Sequence, residues 1–423
     1  MLLLVLTPLP YGTVETWSIT VWEIWILATT LFWGIHAAKE GKLGIAANPL
    51  ALPLLGLLVI ALIQLLPLAP AGNRHTLSYD PYSTLLSTIK LLALILFFLL
   101  FTTFVNTDER RRVIGKVIIW LAFVLALVGI GQTYVGKALW QRGTFGPFVN
   151  SNHFAGFLEM GIGLAAALMI SQNIRRERMA IYACITLVLC GGVVLSTSRG
   201  GTLSLLAEAV FLTFIVWPAK AKSEDSQWGK RLLKRVVAAV VLIAVLLGGA
   251  MLLVGADTLM KKFVQLSAGM PVDLPENERF DRRDIWRVTG QIIRDHPIIG
   301  VGLGAYPLVY TRYDPSSGTV RVEQAHNDYL QIVADAGVIG GVLALTFLGL
   351  LFARGIVTAQ TRDRRKRALV AGALTGCFAI AVHSFVDFNL QVTSNAQLFL
   401  ALAALATVGR SERHAPEAQF EEE

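Results

Sequence analysis

The sequence predicts an all-α fold: a polytopic integral membrane protein with about 11–12 transmembrane helices and one long loop on the side away from the cytoplasm. Hydrophobic residues make up 54% of the chain and charged residues only 16%, whereas roughly a quarter of the residues in soluble domains are charged. Whole stretches carry no charge, among them 51–68, 236–256 and 338–352. An apolar run of ~20 residues matches the ~30 Å thickness of the hydrocarbon core of a membrane.

The long, continuous apolar runs favour helical spans over the strands of a barrel. In lipid every backbone N–H and C=O must be paired within the protein, so spanning segments are helices or closed barrels. Barrel strands would alternate apolar and polar residues over ~10 positions, and these runs do not alternate. The apolar stretch Met1–Leu9 is too short for a full span and lacks the basic flank of a signal peptide. We predict spans near residues 16–38, 49–68, 84–105, 112–135, 152–171, 179–197, 201–217, 236–256, 327–353, 369–387 and 394–409.

Lysine and arginine gather in alternate connections between the predicted spans. Such basic connections face the cytoplasm, whereas loops longer than ~60 residues cross the membrane largely regardless of charge. The long loop is therefore expected on the opposite side, where Asp284 to Ile293 has the pattern of a short amphipathic helix at the interface. The predicted regions are N-terminal transmembrane helices (1–256), the long outer loop (257–326), C-terminal transmembrane helices (327–409) and a cytoplasmic tail (410–423).

The composition excludes several classes of function. The net charge of +8 arises largely from residues at the ends of spans, so it predicts topology rather than a nucleic-acid partner. The three cysteines lack metal-ligand spacing, and no outward loop has a dense acidic cluster. No ATP-binding loop, G-x-S-x-G or H-E-x-x-H motif occurs. We therefore expect no metal and no cofactor, and a reaction on the outer face would use an already activated substrate such as a lipid diphosphate.

Two residues at the outer ends of spans are candidates for chemistry. His326 lies where the long loop enters a span, and a histidine there suits general-base catalysis. The alternative is an interfacial histidine bonded to a backbone carbonyl. Arg199 stands in a Ser/Gly turn between two spans, where an arginine is costly and indicates function. The alternative is an arginine whose charged end simply reaches the water.

Two further segments with hydrogen-bonding side chains are predicted on the same side of the membrane, away from the cytoplasm. Arg282 and Arg283 lie in an arginine-rich part of the long loop, and guanidinium groups bind phosphate bidentately. That segment could instead be a solvated loop with local ion pairs. Arg142 precedes an Asn-x-Asn-His sequence at a span entrance, which could line a sugar site or cap the helix.

His383 and Asp387, four residues apart, are interpreted as sharing one helix face, and structural support is the favoured role of the pair.

Taken together, these segments resemble the O-antigen ligase and polymerase superfamily. Each motif is weak alone, but they occur in order over about residues 140–342, with the long outer loop before the histidine. The matching segments are 143–155 for Asn-x-Asn-His-Phe-Ala, 196–201 for Ser-x-Ser-Arg-Gly, Arg282 and Arg283 with Trp286 for Arg-x-x-x-Trp, 296–302 for Pro-Leu-x-Gly-Val-Gly, and 326–330 with Gly337 and Gly340 for His-Asn-x-x-Leu.

The resemblance implies a metal-independent, inverting glycosyltransferase of the bacterial inner membrane whose active site faces the periplasm. His326 would be the base acting on the acceptor hydroxyl. Arg199 and Arg282 would hold the diphosphate of an undecaprenyl-diphosphate-linked glycan. The implied substrate-binding residues are Arg283, which could replace Arg282 as the phosphate ligand, Arg142, Asn150, Asn152, His153, Asn327 and Tyr329.

Three functions remain open at this point. The first is an O-antigen ligase that moves glycan onto a lipid A–core sugar in lipopolysaccharide biosynthesis. The second is an O-antigen or exopolysaccharide polymerase that uses the same donor and a lipid-linked glycan as acceptor. The third is a transporter or flippase of lipid-linked sugar, which would place ionisable residues at mid-membrane. Three carboxylates, Glu23, Glu159 and Glu208, do fall within spans, but they are scattered along the sequence.

Overall fold

The computed structural model describes residues 1–41, 44, 46–67, 76–135, 145–170, 175–216, 282–314 and 321–407. The predicted span 236–256, Arg142, the loop residues 257–281 and the tail 410–423 lie outside the described residues. The helices in chain order are α1 (Leu2–Leu6), α2 (Thr16–Glu40), α3 (Ala51–Gln64), α4 (Pro81–Phe104), α5 (Asp108–Val135), α6 (Ser151–Ile170), α7 (Arg176–Leu195), α8 (Arg199–Val216), α9 (Arg282–Asp295), α10 (Tyr306–Tyr313), α11 (Asp328–Ala359), α12 (Arg364–His383) and α13 (Thr393–Thr407).

The protein is an all-α polytopic membrane protein. Among the described residues, seven helices are long and apolar enough to cross a membrane: α2, α4, α5, α6, α7, α11 and α12. Three shorter helices, α3, α8 and α13, occupy further predicted spans. The prediction therefore located a helix at each span that the structure describes, although α3 with 14 residues is short for a full crossing.

Helix α6 lies at the centre of the bundle and packs most closely against α12. At Gly163 of α6 an added Cβ would lie 2.6 Å from the carbonyl oxygen of Gly372, and at Gly376 of α12 it would lie 2.7 Å from that of Met160. Small residues let helix backbones approach closely in a membrane. This contact fixes the register of the two helices that carry Glu159 and His383.

Helix α11 is broken one third of the way along its length. Gly337 has φ 68°, a left-handed conformation that interrupts the helix. The segment after α9 fills the break, because Val301 N donates to Ala334 O (3.0 Å), Gly302 N to Asp335 O (3.0 Å) and Val338 N to Pro297 O (2.7 Å). The Gln64 side chain at the end of α3 bonds the same region. These bonds attach the segment between α9 and α10 to the membrane helices α3 and α11.

The predicted amphipathic helix at 284–293 is α9, two residues longer at each end. Its apolar residues Ile285, Val288 and Ile292 are buried against α10 and the start of α11. The sequence predicted that α9 would place its apolar face in the membrane interface. This expectation is corrected, because protein covers that face. Tyr306 and Tyr310 of α10 belong to the same buried cluster.

The last predicted turn of α12 does not form. The helix ends at His383, and residues 384–388 form a loop. The Ser384 carbonyl accepts from Asp328 N (2.9 Å), and the Phe385 carbonyl accepts from the Asn327 side chain (2.9 Å). Because these two carbonyl groups accept hydrogen bonds from the start of α11, the helix does not continue to Asp387. The interpretation that Asp387 shares a helix face with His383 is therefore wrong.

Candidate active site

Four polar side chains converge on the carboxylate of Asp387, which is 1% exposed. Asn152 Nδ2 donates to Oδ2 at 2.6 Å. Arg282 NH2 lies 3.5 Å from Oδ2. His326 Nδ1 and His153 Nε2 lie 3.7 Å and 3.9 Å from Oδ1. Side chains from three separate parts of the sequence thus meet at one anion, and we call this arrangement the Asp387 centre.

These side chains meet at the Asp387 centre because they lie at or next to the ends of helices. Asn152 and His153 occupy the first turn of α6, where the Asn150 side chain accepts from Asn152 N at 2.8 Å and caps the helix. Arg282 is the first residue of α9. Trp286 of the same helix donates its indole N–H to Ala325 O at 3.0 Å, which ties α9 to the residue before His326.

The backbone at His326 is held in a left-handed conformation, with φ 48°. This is an uncommon conformation for a residue other than glycine, although histidine adopts it more often than most. The next residue, Asn327, caps α11 by accepting from Tyr329 N and Leu330 N, both at 3.0 Å. Asp328 accepts from Ser384 Oγ (2.7 Å) and Leu390 N (3.1 Å), so the turn that carries His326 is anchored to the loop that carries Asp387.

Phe388 separates the two histidines of the centre. Its ring lies edge-on to His326, with centroids 4.8 Å apart, and edge-on to His153, with centroids 4.6 Å apart. The aromatic contact restricts the rotation of both imidazoles. His153 is buried, whereas the side chain of His326 is 31% exposed, so His326 is the histidine that a substrate can reach.

The Asp387 carboxylate is an anion at neutral pH. Burial raises its pKa, but the neighbouring His326 and His153, the Phe388 N–H and the Arg282 guanidinium outweigh burial and bring the pKa to about 2. A stable anion next to His326 Nδ1 favours the proton on that nitrogen and leaves Nε2 as the acceptor. At 3.7 Å the Nδ1–Oδ1 distance is longer than a hydrogen bond, as is common for catalytic pairs without substrate.

Arg199 begins α8 and is exposed. Among the described residues its guanidinium makes no hydrogen bond or ion pair, so it is not part of the Asp387 centre. The turn that carries it nevertheless touches the Asp387 loop, since a Cβ added at Gly200 would lie 2.8 Å from Val386 Cγ2. The structure thus places Arg199 next to the loop that carries Asp387, with its side chain exposed.

The other sequence candidates take separate places. Arg283 is exposed on α9, next to Arg282, which alone of the two contacts Asp387. Asn150 and Asn327 cap helices, and the Asn327 side chain also donates a hydrogen bond to Phe385 O. Tyr329 donates to Ala381 O at 2.7 Å and packs on Phe385, away from Asp387.

An apolar cavity of about 220 Å³ lies on the other side of the α11 start. Asp328, Tyr329 and Ser384 form its polar end. Its apolar wall comes from α3, α4, α11 and α13 and includes Leu54, Leu57, Leu91, Leu94, Phe347 and Phe399. The cavity therefore reaches from the neighbourhood of His326 into the membrane region.

Sequence reasoning missed the connecting residues. Asp387 was interpreted through His383 alone, yet it contacts His326, Arg282 and Asn152. Glu159, one of the three carboxylates described as scattered, pairs with His383 across two helices at 3.1 Å. The available signal was a charged residue inside an apolar run, which in a membrane indicates function and a partner.

Two comparisons with known proteins bear on the site. Residues 182–345 match the family model described as O-antigen ligase. The match includes Arg199, Arg282 and His326. No curated protein matches the chain.

Proposed function

We propose that this chain, whose residues 182–345 match the family model described as O-antigen ligase, is an O-antigen ligase in lipopolysaccharide biosynthesis. It would move glycan from undecaprenyl diphosphate onto lipid A–core at the periplasmic face of the bacterial inner membrane. The single observation that carries the proposal is the Asp387 centre, which brings a reachable histidine and an arginine to one buried anion.

The chemistry follows from the atoms at that centre. Nε2 of His326 accepts the proton of the acceptor hydroxyl as its oxygen attacks the anomeric carbon. The bond between that carbon and the diphosphate oxygen breaks on the opposite face, so the configuration inverts. The diphosphate leaves with the bonding electrons. Asp387 holds Nδ1 protonated and stabilises the imidazolium that forms.

In many transferases a metal ion neutralises the leaving group, and in this proposal arginine side chains have that role. Guanidinium groups remain charged at all relevant pH values and bind phosphate oxygens in pairs. Arg199 is open to a ligand, and the side chain of Arg282 keeps 37% of its surface exposed while it contacts Asp387. We propose that these two cations neutralise the leaving diphosphate without a metal ion, with Arg283 as a neighbouring positive charge.

The apolar cavity supports a lipid-linked donor. A polyprenyl chain needs a hydrocarbon surface close to the point where its diphosphate is bound. The cavity of about 220 Å³ offers such a surface beside Tyr329, three residues after His326. The same donor site would also serve a polymerase, whose acceptor is a second lipid-linked glycan.

The test uses purified protein in detergent with undecaprenyl-diphosphate-linked glycan and lipid A–core. Wild type is expected to form glycan-bearing lipid A–core, and His326→Ala and Arg199→Ala are expected to lose transfer by ~10²-fold or more. His36→Ala is the matched control, since His36 lies on α2, pairs with Glu40 and should retain full transfer.

Three other outcomes would change the proposal. Elongation of the lipid-linked glycan without transfer to the core would identify a polymerase with the same residues. Transfer that survives both substitutions would leave the reaction and reject the residues. Transfer abolished by EDTA and restored by Mg²⁺ would reject the metal-independent chemistry.

A further inference from the structure

A second carboxylate–histidine pair lies inside the bundle, beside the turn that carries Arg199. His383 Nδ1 is 3.1 Å from Glu159 Oε2, and both side chains are 0% exposed. Ser204 Oγ of α8 lies 2.8 Å from the same carboxylate oxygen. The other imidazole nitrogen, Nε2, lies 3.4 Å from Ser198 Oγ. The pair therefore connects α6 and α12 to the residue that precedes Arg199.

The Arg199 turn is built around this pair. Ser198 Oγ accepts from Gly201 N at 3.0 Å and caps α8, and Thr197 has φ 62°, so the turn holds a strained residue. An added Cβ at Gly200 would lie 2.6 Å from His383 Cδ2, and one at Gly201 would lie 2.9 Å from Glu159 Oε1. Both glycines are thus required because the buried pair occupies the space beside them.

Stability alone does not explain a buried carboxyl–imidazole pair at this position. Removing both polar groups from water costs free energy that their hydrogen bond only offsets, so such a pair contributes little net free energy of folding. What it supplies is a fixed geometry, since both ring nitrogens of His383 have defined partners. That geometry reaches Arg199 through one residue, Ser198.

We infer that Glu159 and His383 are positioning residues for Arg199: the buried pair holds the 196–201 turn so that the guanidinium faces the anionic group of the donor. The inference rests on the proposed function for the ligand of Arg199 and for the activity measurement, whereas the holding of the turn does not depend on it. Neither residue touches the reacting atoms. The inference extends the site from the outer surface to a carboxylate inside the membrane region.

Glu208 provides a matched control. It lies on α8, four residues after Ser204, is 2% exposed, and its carboxyl oxygens have no hydrogen-bond partner among the described residues. Glu159→Gln and Glu208→Gln therefore make the same chemical change at equally buried positions of neighbouring helices. Only the first alters a group that is bonded to His383, whose other ring nitrogen lies 3.4 Å from Ser198 Oγ in the Arg199 turn.

The activity experiment is a double-mutant cycle with Arg199→Ala in the full-length protein. Glu159→Gln is expected to raise the donor KM about tenfold with a smaller change in kcat, a cost typical of residues that orient a ligand-binding group. In the Arg199→Ala background it should add almost nothing, because a residue that acts through Arg199 is non-additive with it. Glu208→Gln should leave KM unchanged. Additive effects, or an equal effect of Glu208→Gln, would overturn the inference.

A spectroscopic experiment keeps the inference testable if the transferase assay fails. A nitroxide label is attached to Arg199→Cys after the exposed Cys184 is replaced by serine; the other two cysteines are buried. Glu159→Gln and His383→Asn should each increase the mobility of the label in the electron paramagnetic resonance spectrum, and Glu208→Gln should not. An unchanged spectrum in folded Glu159→Gln would reject the positioning role, whatever reaction the protein catalyses.

Discussion

The Asp387 centre and the Glu159–His383 pair are both carboxylate–histidine arrangements, and they differ in closeness and in access to water. At the Asp387 centre the imidazole of His326 lies 3.7 Å from the carboxylate and is 31% exposed. Inside the bundle, His383 and Glu159 lie 3.1 Å apart and are fully buried. The open arrangement leaves one imidazole nitrogen free for a substrate, whereas the closed one uses both nitrogens within the protein. The same pair of residue types therefore suits chemistry in one place and positioning in the other.

Removing the Asp387 charge should give the largest contrast between the two arrangements. We expect Asp387→Asn to lower kcat for glycan transfer by about 10²-fold, because the imidazolium loses its counter-ion and His326 its orientation. Glu159→Gln should act mainly on the donor KM. Steady-state kinetics of both variants with one donor preparation provides the measurement. Equal losses of kcat in the two variants would remove the distinction between an open and a closed site.

A smaller effect is expected from the arginine that contacts the open centre. Arg282→Lys retains the charge but loses the paired N–H donors, so we expect the donor KM to rise about tenfold. Arg287→Lys is the control, since Arg287 lies on the same helix and pairs with Asp284 at 2.7 Å near the surface. Titration of transfer rate against donor concentration distinguishes them. A normal KM for Arg282→Lys would assign the diphosphate to another cation, with Arg283 the nearest candidate.

The smallest expected effect concerns stability in acid. The pKa of Asp387 is lowered to about 2, below the ~3.9 of an unfolded aspartate, so its ionised form favours the folded state by ~2 kcal/mol. This contribution is fully present above pH ~4 and is lost as the pH falls towards 2. The Tm difference between wild type and Asp387→Asn should therefore shrink over that range. A difference that stays constant down to pH 2 would mean that the carboxylate is not held ionised by its neighbours.

The sequence predicted the helices well because length and hydropathy are local properties. Every predicted span that the structure describes contains a helix, but the break at Gly337 falls inside the span predicted as continuous over 327–353. The site residues His326, Arg282, Asn152 and His153 were also candidates from their types and their places at span ends. Local patterns were sufficient for both because membrane helices and outer-end polar clusters are each encoded in short stretches.

The connections between those residues could not be predicted. Asp387 meets Asn152 across 235 positions of the chain, and His383 meets Glu159 across 224. Helix α12 ends where it does because the carbonyl groups of the next residues accept hydrogen bonds from the start of α11. This tertiary contact overrides the helical pattern of the span predicted at 369–387. Pairings of this kind depend on helix packing, which the spacing of single residues does not encode.

The broken helix α11 has a consequence for how the site is held relative to the membrane. An unbroken helix of 32 residues would be about 48 Å long, while the 20 residues of α12 span about 30 Å. The two helices are joined by a short loop at one end, and at the other Asp328 N bonds Ser384 O at 2.9 Å. The break at Gly337 divides α11, so that the part after it, residues 338–359, is close to α12 in length. His326 precedes the shorter part, which is bonded to the end of α12, so its distance from Asp387 depends on that contact and not on the full length of α11.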